Sequence, residues 1–132
     1  MSGLVPYLHF AGQAREALEF YADVFGGKAE MHTFADFGRT DGDAGWIAHG
    51  YLVGSPVELN AADAGEGEES LQTAGLMFSL LGTTDSEGLA RWFARLGEGG
   101  TVVDDLQHRE WGATDGQVRD RYGLLWLIGY ED

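Results

Sequence analysis

Two stretches of this chain follow one plan: a short apolar strand, a turn, an amphipathic helix and a Gly-Gly pair. The first copy occupies Pro6–Gly27, and the second begins near Gly75 and closes at Gly99-Gly100. Phe20-Tyr21 and Trp92-Phe93 occupy matching places in the two predicted helices. An internal repeat is a fold-level signal, because one supersecondary unit cannot bury its apolar face alone.

The first copy shows why a strand and a helix are predicted. Leu4–Phe10 is short and rich in aromatic and aliphatic residues, which favours a strand, and Gly12 interrupts it. From Gln13 onward the apolar residues recur at helical spacing. They are Ala14, Ala17, Leu18, Tyr21, Val24 and Phe25. Gly26-Gly27 then ends the helix, because glycine can adopt the left-handed conformation after a last turn.

Each copy continues with three predicted strands. In the first they are Lys28–Phe37, Trp46–Val53 and Pro56–Ala62. The acidic, glycine-rich segment Asp63–Ser70 then predicts a mobile linker.

The second copy repeats this order of elements. A strand at Gly75–Leu81 precedes a helix for which Thr84 and Glu87 form a predicted capping box. The helical stripe consists of Leu89, Trp92, Phe93 and Leu96. The closing strands are Thr101–Leu106, Trp111–Arg119 and Leu124–Tyr130.

The repeat therefore predicts one α+β domain made of two βαβββ modules with mostly antiparallel sheets. Module 1 covers about residues 1–63, a linker covers 64–73, and module 2 covers about 74–132. One face of each sheet packs on its own helix, and the other face needs a partner. Two cupped sheets facing each other would leave a cleft, where small ligands most often bind.

The composition narrows the functional classes. The chain has 132 residues and no cysteine, which excludes disulfides, thiolate catalysis and zinc held by cysteine. No apolar run approaches the roughly 20 residues of a membrane span, and the N-terminus does not resemble a signal peptide. We therefore expect a cytoplasmic protein.

The charge balance points to the kind of partner. Eight basic residues against 22 acidic ones give a formal net charge of -14. Such a surface repels nucleic acid and anionic membranes, so neither is an expected partner. The same field raises the local concentration of cationic ligands, although it also serves solubility alone.

Nearly the whole chain resembles PhnB-like proteins of the vicinal oxygen chelate superfamily, also called the glyoxalase/bleomycin resistance/dioxygenase superfamily. The resemblance rests on Pro6-Tyr7-Leu8-x-Phe10-x-Gly12, on Phe25-Gly26-Gly27, and on His49. It rests also on Trp111-Gly112 and on Gly116-x-Val118-x-Asp120-x-Tyr122-Gly123-x-x-Trp126. It implies paired βαβββ modules, a cavity for a small molecule and a homodimer.

Metal-dependent members of that superfamily carry four ligands, two in each module. The resemblance places three of these positions at Pro6, near Gly75 and near Leu127, where no side chain can bind a metal. Glu58 alone keeps a possible ligand. We therefore expect neither a metal nor another cofactor.

Five residues are predicted to contact a ligand: Phe10, Trp46, His49, Glu58 and Trp111. Trp46 and Trp111 begin strands, where an indole offers a flat apolar face and one donor. Packing against the core is the alternative for each indole, and a hydrogen-bonded structural role is the alternative for His49. Trp92 and Trp126 are predicted to lie in the core.

Two functional hypotheses follow. The first is a small-molecule-binding protein without the usual metal ligands, which sequesters a cationic or aromatic compound. The alternative is an enzyme, either a metal-dependent glyoxalase-like lyase or isomerase that uses Glu58 and His49, or a metal-free enzyme. No residue set in the sequence fixes a catalytic mechanism.

Overall fold

The computed structural model describes residues 3–131. The chain divides into two compact units, Met1–Gln72 and Thr73–Asp132. Each unit is a βαβββ module in which one helix accompanies a four-stranded mixed sheet. The fold class predicted from the internal repeat is therefore confirmed.

The first unit contains four strands, one α-helix and a short 3-10 helix. Their bounds are β1 Tyr7–Phe10, α1 Ala14–Phe25, β2 Lys28–Thr33, the 3-10 helix Ala35–Phe37, β3 Ile47–Val53 and β4 Asn60–Asp63. The strand order is β1-β4-β3-β2. β1 runs parallel to β4, and the other two pairs are antiparallel.

The second unit repeats that topology. Its elements are β5 Met77–Leu81, α2 Ser86–Leu96, β6 Thr101–His108, β7 Ala113–Arg119 and β8 Leu125–Glu131. The strand order is β5-β8-β7-β6, with β5 parallel to β8 and the other pairs antiparallel. The two units thus share the same mixed arrangement of strands.

Helix α1 forms because its apolar residues fall on one face, which the sheet of the first unit covers. Close contact with β3 depends on Gly50, since a Cβ at that position would overlap Cδ1 of Leu18. Leu18 is completely buried. A glycine in the strand therefore sets the distance between helix and sheet.

The start of α1 is capped by a residue far away in the sequence. Gln13 makes no side-chain capping bond. Instead Oδ1 of Asp63, at the end of β4, accepts hydrogen bonds from the backbone N–H groups of Gly12 and Ala14, each at 2.9 Å. Oδ2 accepts a third from Ile47, also at 2.9 Å. One buried carboxylate thus joins β4, β3 and α1.

Helix α2 begins one residue later than the predicted capping box. The cap is Asp85, whose Oδ1 accepts from the N–H of Gly88 at 2.7 Å, so the assignment to Thr84 and Glu87 was wrong. An aspartate carboxylate is the stronger acceptor at this position. The helix ends at Leu96, and Gly99-Gly100 form the turn into β6 rather than the helix cap.

Several predicted strands are shorter in the structure, among them two that precede and follow β3. The strand predicted over Lys28–Phe37 ends at Thr33, where Thr33 and Asp36 exchange two hydrogen bonds and start the 3-10 helix. The strand predicted over Pro56–Ala62 begins only at Asn60. Local side-chain bonds to the backbone compete with strand pairing at such sites.

The acidic segment after β4 makes specific contacts, unlike the mobile linker predicted for it. Glu68 accepts from the N–H of Gly65 at 2.8 Å and pairs with Arg39 at 3.1 Å. Arg39 also binds Asp41 through both carboxylate oxygens, at 2.9 and 2.6 Å. This group joins the loop after the 3-10 helix to residues 65–68, all within the first unit.

Candidate functional site

Two groups of side chains, one in each unit, could contact a small molecule. The first lies on the sheet of the first unit and contains His49, one of the residues predicted to contact a ligand. Along β1 the side chains alternate, with Leu8 and Phe10 buried and Tyr7 and His9 more exposed. This alternation puts Tyr7 and His9 on the opposite face from the core residues.

On that face a hydrogen bond joins β1 to β3. Oη of Tyr7 lies 2.8 Å from Nδ1 of His49 on β3. The Tyr7 ring also stacks on His9, with ring centroids 5.0 Å apart and planes inclined by 22°. His49 in turn lies 5.3 Å from the ring of Tyr51. We call Tyr7, His9, His49 and Tyr51 the Tyr–His cluster.

The electrostatics keep the Tyr7 phenol protonated at neutral pH. Desolvation by burial, followed by the negative charge of Glu68, raises the pKa of Tyr7 above its usual value, and Arg39 partly offsets this. The phenol therefore remains available as a proton donor over the whole physiological range. Its partner His49 can either accept at Nδ1 or donate from it, depending on the tautomer.

The other predicted contact residues of the first unit lie outside this cluster. Phe10 is only 4% exposed and belongs to the core. Trp46 packs edge-on against Phe34, with ring centroids 6.0 Å apart, and closely approaches Gly12. Glu58 is exposed in the loop before β4. The structure thus brings His49 together with Tyr7 but not with Trp46 or Glu58.

The second group surrounds a cavity of about 530 Å³ in the second unit. It lies at one end of the sheet, where β5 and β8 end, β7 begins and the β6–β7 turn projects. Its lining combines aliphatic, aromatic and acidic groups. They include Leu81, Trp111, Asp115, Leu127, Tyr130 and Glu131. We call this space the β8-end cavity.

Trp111 is the most exposed aromatic side chain of the cavity, at 75%. A tight turn holds it, in which the N–H of Gly112 donates to the carbonyl of Arg109 and the N–H of Arg109 to that of Ala113. Gly112 has φ of 93°, a conformation that side-chain-bearing residues rarely adopt. By contrast, Trp92 and Trp126 are buried, as predicted.

Arg109 neutralises part of the acidic charge beside the cavity. Its guanidinium pairs with Asp104 at 2.7 Å and with Asp115 at 2.9 Å, and it lies 5.9 Å from the Trp111 ring. Hydrogen bonds to both carboxylates raise the pKa of Arg109, so it stays charged. Glu131 has no ion-pair partner among residues 3–131 and leaves a negative charge at the cavity wall.

Within residues 3–131, no group of three or more His, Asp or Glu side chains is arranged to hold a metal ion. In the same range neither helix is long and apolar enough to span a membrane.

The sequence analysis did not identify several residues of these two groups. Tyr7, Tyr51, Tyr130 and Glu131 were not singled out, although strand alternation places Tyr7 beside His9 on one face. The partnership between Tyr7 and His49 crosses 42 positions, so no local pattern could reveal it. Asp120, which belongs to the closing motif, accepts from the N–H groups of Tyr122 and Leu124 and tightens that turn.

The comparison with protein-family models matches residues 3–128 to the model described as "Glyoxalase/Bleomycin resistance protein/Dioxygenase superfamily". The resemblance drawn from the sequence motifs is thereby confirmed. No curated protein matched the chain.

Several solved structures resemble this chain over nearly its whole length. Protein PA1353 from Pseudomonas aeruginosa is 32% identical, with a TM-score of 0.84 over 99% of this chain and 98% of that one. A putative 3-demethylubiquinone-9 3-methyltransferase, PhnB protein, from Bacillus cereus is 19% identical, with a TM-score of 0.78 over 98% and 99%. TioX from Micromonospora sp. ML1 is 22% identical, with a TM-score of 0.58 over 99% and 97%. The last two show likeness of fold alone.

Proposed function

The chain belongs to the Glyoxalase/Bleomycin resistance protein/Dioxygenase superfamily, and we propose that it binds an aromatic organic cation in the β8-end cavity. One observation carries the proposal: the exposed Trp111 indole lines the same cavity as the Glu131 carboxylate, which has no ion-pair partner in the described part of the chain. An indole face attracts a cation through its quadrupole, and a carboxylate attracts it through its charge.

The size and lining of the cavity support a ligand of this kind. Its volume of about 530 Å³ falls within the range of typical small-molecule sites, about 300–1,000 Å³. Leu81 and Leu127 supply apolar surface for a ring system, while the Tyr130 ring and the Trp111 indole add aromatic surface. The ligand is held without covalent chemistry.

The arrangement of Arg109 supports a cationic rather than an anionic ligand. The protein's own guanidinium already lies within reach of the Trp111 ring and between two carboxylates. Asp104, Asp115 and Glu131 carry three negative charges against the single charge of Arg109. The formal net charge of -14 adds a long-range attraction for cations.

Calorimetric titration with ethidium and thioflavin T, two cationic aromatic dyes, tests the proposal, with anilinonaphthalene sulfonate as the anionic comparison. We expect the cationic dyes to bind and the anionic one to bind more weakly. Trp111→Ala should weaken dye binding about tenfold, because a cation–π contact is worth about 0.5–2 kcal/mol and tenfold corresponds to about 1.4 kcal/mol. Glu131→Gln should also weaken it.

Two matched variants control for the loss of an aromatic ring or of a charge elsewhere. Phe37→Ala removes an exposed ring from the first unit, and Glu69→Gln removes an exposed carboxylate there. Both should bind the dyes like the wild type. The proposal is contradicted if neither cationic dye binds, or if Phe37→Ala lowers affinity as much as Trp111→Ala.

The proposal also includes a cytoplasmic homodimer. Each sheet has unpaired outer strands, and the edge strand β6 exposes Val102 and Val103. Exposed edges of this kind need cover, which a second copy can supply. Sedimentation at micromolar concentration should give about twice the monomer mass of 14.3 kDa; a monomeric mass would contradict this part.

A further inference from the structure

We propose that Tyr7 and His49 form a metal-free proton-transfer site that enolises a ketone bearing a flat aromatic group. The site lies in the first unit and shares no residue with the β8-end cavity. It therefore adds an activity to the proposed binding function and does not depend on it.

The geometry meets the first requirement of acid–base catalysis, which is an acid and a base in mutual contact. Oη of Tyr7 lies 2.8 Å from Nδ1 of His49. Tyr7 is 41% exposed and His49 is partly exposed, so a substrate can reach both.

The surrounding rings hold the pair and offer flat surfaces. His9 stacks on one side of Tyr7, and Tyr51 lies against His49. Opposite His9 on β4 stands Ala62, whose single methyl group leaves room for the Tyr7 ring to reach across to His49. An aromatic substituent could pack on these rings, because aromatic pairs favour offset stacking.

The step balances without an oxidant, reductant or second substrate. With Nδ1–H of His49 donating to the phenol oxygen, Nε2 has a free lone pair and removes the α-proton of the ketone. The Tyr7 phenol gives its proton to the carbonyl oxygen, and the enol forms. Nδ1–H then returns a proton to the phenolate. Exchange with water restores the starting tautomer, so the reverse step carries solvent hydrogen into the α-carbon.

The pH dependence of the step is set by His49 and Tyr7, together with the groups that face them. Glu68 and Arg39 act on Tyr7, and His9 stacks on it. His32 stands opposite His49 on β2, and Glu30 stands opposite Tyr51. The step uses neutral His49 as the base and the protonated Tyr7 phenol as the acid, so the rate should fall where Tyr7 ionises.

Deuterium exchange tests the proposal with the full-length protein. Benzyl methyl ketone, acetophenone and 4-phenyl-2-butanone are incubated in D₂O, and proton NMR follows loss of the α-proton signal. We expect faster exchange than in buffer for at least one ketone. Tyr7→Phe should lower the enzymatic rate about a hundredfold, since general acid–base catalysis contributes about 10²–10⁴-fold.

Tyr7→Phe keeps the ring, and with it the stacking on His9 and His49, so loss of the fold does not explain the result. His49→Gln should abolish exchange, and His108→Gln, which alters an exposed histidine of the second unit, should retain it. Wild-type exchange no faster than buffer for all three ketones, or unchanged exchange in Tyr7→Phe, would overturn the proposal. Dye binding by Tyr7→Phe, measured in parallel, separates this failure from failure of the cavity proposal.

Discussion

Asp63 shows how one buried side chain can organise a module. It is 1% exposed, and it accepts three backbone hydrogen bonds from Gly12, Ala14 and Ile47. Ala14 is the first residue of α1, where helix N–H groups have no intrahelical partner, and Gly12 lies just before the helix. In the sequence analysis Asp63 was only the first residue of an acidic segment, because its partners lie 16 to 51 positions away.

Asp63→Asn should therefore destabilise the protein. The asparagine amide replaces one acceptor oxygen by an N–H donor that faces a backbone N–H. The free energy of unfolding should fall by about 2–4 kcal/mol, since each buried unsatisfied group costs about 1–3 kcal/mol. Urea denaturation measures the change. Asp105→Asn makes the same chemical change at an exposed position, and there we expect the free energy of unfolding to change by no more than about 0.5 kcal/mol. Equal effects in the two variants would contradict the role of Asp63.

At the scale of elements, the packing of α1 on β3 depends on the absence of a side chain at Gly50. Gly50→Ala should lower the free energy of unfolding by about 1–3 kcal/mol, because the new methyl group would overlap the buried Leu18 side chain, which would have to shift. Gly45→Ala is the matched control, because no atom lies within 4 Å of a Cβ at that position. Thermal unfolding of both variants distinguishes them, and a stable Gly50→Ala protein would refute the packing argument.

The loop held by Arg39 should lose stability in acid. Hydrogen bonds from Arg39 lower the pKa of Asp41, and the N–H of Gly65 followed by Arg39 lowers that of Glu68. A carboxyl group with a lowered folded-state pKa stabilises the fold above its unfolded-state pKa, about 4. That contribution disappears as the pH falls through the folded-state value.

Unfolding measured between neutral pH and pH 3 tests this expectation. The wild type should lose stability below about pH 4, and Arg39→Met should be less stable at neutral pH but show a shallower decline in acid. Arg91→Met, at an exposed position of α2, serves as the control and should follow the wild type. Parallel curves for wild type and Arg39→Met would contradict the assignment.

At the scale of the whole molecule, the sequence predicted the repeat and both helices because hydrophobic periodicity and glycine pairs are local signals. It predicted strand ends less well where side chains such as Thr33 and Asp36 bind the nearby backbone. It identified His49 and Trp111 as candidates but not Tyr7 or Glu131. Their neighbours are assembled by strand pairing over long distances in the chain, which no local pattern encodes.

The net charge of -14 makes a further prediction for the whole protein. Binding of a cationic dye should weaken as salt rises from 10 mM to 1 M, because the screening length falls from about 30 to about 3 Å. Anilinonaphthalene sulfonate should respond in the opposite direction. Fluorescence titrations at several salt concentrations provide the measurement, and an affinity for the cationic dye that is independent of salt would contradict the electrostatic argument.

The most direct test of the cavity proposal is to locate a bound probe on the protein. In an NMR titration of ¹⁵N-labelled protein with thioflavin T, we expect the largest shift changes at residues 111–115 and 127–131, together with the indole N–H of Trp111. Saturable changes confined to these positions would agree with binding in the β8-end cavity. Changes centred on other residues, or none at saturating dye, would contradict it.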